Sequence, residues 1–184
     1  MGEGDRRTVG GRALDARASD ERRGIVLPGF ILGLGLGGFA DGIVLHQVLQ
    51  WHHMLTGTDS DRIGVPYYSP ATVPGLRMNT AWDGAFHVVT WLFVLAGIGL
   101  LYSRVTRDRR SAWTSRALWG WMLAGWGLFN LVEGIIDHQI LGVHHVREGA
   151  HRLWWDLAFL ALGAVLLLAG WALQRGADQP RPAR

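Results

Sequence analysis

The chemistry open to this sequence rests on its eight histidines and the carboxylates set near them. His46 is followed by the doublet His52-His53, and His138 by the doublet His144-His145, at the same spacing. His87 stands four residues after Asp83, which on a helix places the two on one face, a turn apart. Neutral imidazoles gathered this way are ligands for first-row transition metals, copper and zinc above all. The chain has no cysteine, so a metal must be held through His nitrogen, carboxylate oxygen or Met sulfur. Met54, Met78 and Met122 are scattered, which gives a Met-rich copper(I) site no support.

The two histidine strings belong to an internal repeat. Residues 38–54, GFADGIVLHQVLQWHHM, align without gaps on residues 130–146, NLVEGIIDHQILGVHHV, with seven identities. Gly42 matches Gly134, His46 matches His138, Gln47 matches Gln139, and Asp41 meets Glu133. A weaker likeness links Trp82-Asp83-x-Ala85-Phe86 to Trp155-Asp156-x-Ala158-Phe159, where Leu160 replaces His87.

Four apolar stretches must position these residues: about 25–50, 81–102, 118–142 and 153–173. Each can cross roughly 30 Å of hydrocarbon at about 1.5 Å per residue. The fold class this predicts is all-α, a four-transmembrane-helix bundle made of two helical hairpins in parallel repeat, with the site between the repeats. Residues 1–23 read as a disordered cytoplasmic tail, 24–174 as the transmembrane domain and 175–184 as a cytoplasmic C-terminal tail. All 18 basic residues are Arg, and they crowd before the first span, between the second and third, and after the fourth. That asymmetry predicts a multi-pass protein of the cell (inner) membrane with both termini cytoplasmic. It also accounts for a pI near 10.1 without a nucleic-acid partner.

In this frame every histidine converges on the outer face, marked by Trp51, Trp82, Trp154 and Trp155. His46 and His87 each lie five residues in from a marker, about 7 Å deep, and the repeat sets His138 level with them. These three predict a three-histidine site with an open fourth position, with Asp83 as a further ligand or as the acceptor that fixes an imidazole tautomer. His53 shares a helical stripe with His46, as His145 does with His138, so both extend the metal set outward, whereas His52 and His144 fall on another stripe. Asp41 and Glu133, about 7.5 Å deeper, join Asp137 and Asp156 as supporting or proton-carrying groups. The plainer reading of the same residues is interhelical hydrogen bonding, with Asp83 and Asp156 as helix-start residues. Gly29, Gly33 and Gly37, at four-residue spacing, read as a packing stripe.

The string Asp41-Gly42-Ile43-Val44-Leu45-His46-Gln47-x-Leu49-Gln50-Trp51-His52-His53-Met54, followed by Asp83-Gly84-x-Phe86-His87, resembles a bacterial family of predicted multi-pass membrane proteins of unknown function. The resemblance covers about residues 24–173. Genes of that family are often found near those for copper delivery to cytochrome oxidase, so it implies copper handling or respiratory-oxidase biogenesis, with oxidase assembly factors as partners. It implies neither an activity nor a ligand set.

The leading reading is thus an integral membrane protein with a His/carboxylate metal site near its outer face, copper ahead of zinc. One alternative is a membrane oxidoreductase in which His46 and His138 ligate haem b. Another is a proton or metal-ion pathway through Asp41, Glu133 and Asp137. The scarcity of polar groups between 88 and 102 and between 157 and 173 counts against that pathway.

Overall fold

The computed structural model describes residues 24–57, 69–107 and 115–177. The tail assigned to 1–23 and the final residues 178–184 lie outside them. Four helices, and among the described residues no strand, make up the structure: α1 (Gly24–Val48), α2 (Val73–Arg107), α3 (Ser115–Glu133) and α4 (Arg152–Ala177). α1 finishes as a π-helix over Gly42–Val48, and α3 runs directly into another over Gly134–Leu141.

α2 starts eight residues before the apolar stretch read from sequence, and the reason is local. Pro74 sits in the first turn, where its missing N–H costs no hydrogen bond, and the Thr72 hydroxyl accepts from Gly75 N at 3.2 Å. α1, α2 and α4 are long and apolar enough to cross a membrane. α3 is not among these three. Its content of Trp119, Gly120, Trp121, Gly125, Trp126 and Gly127, with Arg116 and Asn130, makes it less hydropathic than its neighbours.

The exterior is apolar and the interior polar. Leu92, Ile98, Val165 and Leu168 are exposed, whereas the fully buried side chains include His46, His52, His138, His144, Asn79, Asn130, Asp83 and Asp156. That inversion suits a helix bundle whose surroundings are hydrocarbon.

Small residues bring the helices together. A Cβ on Gly33 would overlap the Met122 carbonyl, and one on Gly125 would overlap the Phe30 carbonyl. Each is the other's reciprocal, so α1 and α3 cross in backbone contact. Gly29 lies against Trp121 and Gly37 against Trp126, which shows the two helices running parallel and level. Gly35 meets Val94 and Gly42 meets His87, so α2 returns antiparallel along α1; Gly127 meets Leu167 and Gly134 meets Leu160, so α4 returns along α3. The packing expected of the α1 glycine stripe is what it does.

Candidate metal centre

The π-winding at the ends of α1 and α3 sets the first residues of the site. A π-helix bonds i to i+5, which stacks side chains five apart instead of three or four. Asp41 and His46 are five apart, and Asp41 Oδ2 lies 3.1 Å from His46 Nε2, though without hydrogen-bond alignment. Glu133 and His138 hold the matching positions, both buried. An α-helical reading spreads each pair around the helix.

Both π-segments stop at one point. Gln50 and Gly142, equivalent in the repeat, adopt positive φ of 49° and 60°. The chain then leaves the helix before each histidine doublet, and Trp51 N donates to Leu45 O at 2.9 Å while Val143 N donates to Asp137 O at 3.0 Å. The stripe expected to run from His46 to His53 therefore ends at Leu49. Beyond it, neighbouring residues of each doublet point different ways, and His52 and His144 turn inward to full burial.

The contacts then occur in pairs. Asp83 accepts from His46 Nδ1 at 3.1 Å, from His53 Nδ1 at 2.6 Å and from Met54 N at 2.9 Å. Asp156 accepts from His145 Nδ1 at 2.7 Å, from Val146 N at 3.0 Å and from Gln139 Nε2 at 3.2 Å, with His138 Nδ1 at 3.5 Å. Across the two halves, His52 Nδ1 donates to Val146 O at 2.8 Å and His144 Nδ1 to Met54 O at 3.2 Å. Asp156 is thus bonded as Asp83 is, although its helix lacks a histidine one turn on.

These bonds decide which nitrogen is free. A carbonyl can only accept, so His52 and His144 must carry their proton on Nδ1, and their Nε2 atoms bear lone pairs. Those Nε2 atoms are buried with no hydrogen-bond partner, as are both His138 nitrogens, both Glu133 oxygens and both Asp41 oxygens. Burial pushes the His52 imidazole down to about 4 despite Asp41 nearby. His144 falls well below its ordinary 6.5, first through burial and then through His52, His138 and His46. Both rings are neutral near pH 7, the form that binds a metal.

The rings pack as a chain. Centroids lie 4.5 Å apart for His46–His52, 4.7 Å for the stacked His52–His144 pair and 4.8 Å for His138–His144. In each of three overlapping sets the ligand atoms lie within 4.8 Å of one another: His46, His52, His144; Glu133, His138, His144; and Asp41, His46, Glu133. Four imidazoles and two carboxylates thus fit a metal, and the orphaned buried Nε2 atoms are the observation that says so.

The residues singled out from sequence divide by place. His46 and His138 are inside these sets, joined by Asp41 and Glu133, whose oxygens come together as facing residues. Asp83 and Asp156 sit one shell outward, holding Nδ1 protons. His53 and His145 hang on the far side of those carboxylates, with side chains 15% and 16% exposed. His87 is in none of the sets: its Nδ1 donates to Asp83 O at 2.7 Å, within its own helix turn. Asp137 is half-buried on the π-helix that continues α3 and belongs to none of the three sets. His52 and His144, assigned by spacing to another stripe, lie at the centre. Gly142 was the available signal, since a glycine at that point stops a helix and the repeat carries the stop over to Gln50. A polar cavity of about 680 Å³, lined by His138, Gln139, His145, Arg152 and Asp156, leads in from the loop end.

The family described as "Predicted membrane protein (DUF2243)" matches residues 28–177, and the chain belongs to it. No curated protein and no solved structure matches the chain.

Proposed function

Starting from a membrane protein of that family, we propose that the chain binds a transition metal through His46, His52, His138 and His144 with Asp41 and Glu133, and serves in copper handling or respiratory-oxidase biogenesis. The observation that carries the reading is the set of buried Nε2 lone pairs of His46, His52 and His144, each aimed inward by an Nδ1 proton committed elsewhere. Interhelical hydrogen bonding alone would satisfy both nitrogens of these rings, not one. Copper stands first because the donors are imidazole and carboxylate and because of the family resemblance; zinc takes the same donors. When bound, such an ion supplies Lewis acidity, or electron transfer in the case of copper.

α3 is the fourth span in this reading. It lies parallel to and level with α1 in backbone contact, so a bilayer that holds α1 holds it too. The two hairpins form a parallel repeat, supported by the reciprocal Gly33–Met122 and Gly125–Phe30 contacts and by the paired bonds to Asp83 and Asp156. The arginine distribution sets the histidine end outside and both termini in the cytoplasm. With cysteines placed at Ser60 and Ser111, an impermeant thiol reagent on intact cells labels position 60 only; labelling of 111 alone reverses the orientation.

The test of function is elemental analysis of the purified, monodisperse protein together with its optical spectrum. The expected result is one or two copper or zinc ions per chain, mostly lost in His46→Ala, His52→Ala, His138→Ala and His144→Ala and retained in His87→Ala. Full retention in all of these variants reduces the cluster to packing, and a haem absorption band reassigns the histidines to haem.

A further inference from the structure

Two grooves run along the outside of the bundle to the polar cluster. One, of about 430 Å³, is lined by Asp41, Trp126, Asn130, Trp155, Ala158 and Phe159 between α1, α3 and α4. Its counterpart between α1, α2 and α3, of about 260 Å³, ends at Glu133 and Asp137. The second is narrower because Phe129 stands where the first has Gly37. The larger falls within the roughly 300–1,000 Å³ usual for small-molecule sites, and the smaller does not.

The larger groove also holds acceptors with nothing to accept. Asn130 is 2% exposed and Asp41 5%, and Asn130 Oδ1 and both Asp41 oxygens lack a hydrogen-bond partner. A metal that takes one Asp41 oxygen leaves the other. At the equivalent of Asn130 the narrower groove has Gly38, which offers no such group.

The occupant must reach Asp41 from the lipid, since the loop side is closed by the fully buried His46, whose Nε2 lies 3.1 Å from Asp41 Oδ2. It must bring a hydrogen-bond donor, which acyl tails lack and phospholipid headgroups carry only at the interface. It must also fit between flat aromatic walls, with the Ala158 side open to lipid for an apolar tail. From these requirements we infer that the larger groove is a lateral binding site for a membrane-dissolved quinol. Its hydroxyl hydrogen lies between the two orphaned acceptors, donating to Asp41, the stronger, and shared with Asn130 Oδ1. The ring stacks among Trp126, Trp155 and Phe159.

The inference shares Asp41 with the metal reading, and the experiment keeps the two separate. Full-length protein in quinone-free nanodiscs, metal-free and zinc-loaded, is titrated with duroquinol and with durene, the same ring without hydroxyls, against empty nanodiscs. Duroquinol is expected to bind saturably at one per chain in both forms, with durene at least tenfold weaker. Ala158→Phe fills the groove from its exposed side and Asn130→Leu removes an acceptor; each should weaken duroquinol at least tenfold and leave zinc content unchanged. Neither position is a metal donor, and Ala158→Phe, being lipid-facing, leaves the packing intact should Asn130→Leu fail to fold. Equal binding of durene and duroquinol, tighter binding of oleic acid than of duroquinol, or wild-type affinity in Ala158→Phe overturns the inference. Duroquinol binding without any metal uptake sustains it and removes the metal reading alone.

Discussion

Replacing Asp83 by Asn isolates the part its charge plays. The carboxylate accepts three protons, with Oδ1 serving His46 Nδ1 at 3.1 Å and Met54 N at 2.9 Å, and Oδ2 serving His53 Nδ1 at 2.6 Å. An amide has one oxygen. Set at the Oδ1 position it keeps two of the three bonds, and its NH₂ then faces His53, whose ring must change tautomer. The bond to His46 survives but loses its charge assistance, which is worth about 1 kcal/mol or more. With the bond to His53 also disturbed, the loss to a metal on His46 comes to about 1.4–2.7 kcal/mol, or ten- to a hundredfold in affinity. Asp156→Asn should cost less, since His138 Nδ1 lies 3.5 Å from Asp156 and has less to lose. The assay is competition against a chromophoric chelator, for copper(II) and zinc separately, on protein shown to be monodisperse. Unchanged affinity in Asp83→Asn, or a larger loss in Asp156→Asn, would refute the argument that these carboxylates orient the ligands.

Three further outcomes are expected. Metal-free protein should lose stability as the pH falls from 6.5 towards 4: the depressed His52 value means the unfolded chain takes up a proton first, so the contribution is whole above 6.5 and is lost through this window. About 3 kcal/mol is at stake at most for His52, and thermal melts should show a flatter profile in His52→Gln; an equally steep wild-type and variant profile refutes the assignment. Gly33→Ala should lower the yield of folded protein sharply because its Cβ overlaps the Met122 carbonyl, whereas Gly84→Ala, with nothing within 4 Å, should be neutral or stabilising; similar melting of the two would contradict the α1–α3 contact. Gln50→Gly should raise the melting temperature, since φ of 49° suits glycine and the repeat already has Gly142 there; a lower value speaks against the left-handed turn.

The positions of these helices were largely legible, because long apolar runs and flanking Arg residues leave few alternatives. α3 was legible as a helix but is marginal by hydropathy, since Trp and Gly serve packing better than they serve apolarity. The gathering of His46, His138, Asp41 and Glu133 at one end followed from the repeat. The centre did not. Spacing rules assume α-helical winding, and here a π-turn brings Asp41 beside His46, while a left-handed residue at position 50 redirects His52 inward. His87 was drawn in by its depth and by its place one turn from Asp83, yet its hydrogen bond to the carbonyl of Asp83 turns the ring along its own helix.

The carbonyls that steer His52 and His144 come from opposite halves of the chain: Val146 serves the first and Met54 the second. Val146 stands 94 residues after His52 in the chain, and its own N–H is held by Asp156 on α4. The alignment of the imidazoles therefore depends on α4 being docked. A truncated chain would keep most of its histidines without their alignment, so the capacity to retain an ion would report on complete assembly.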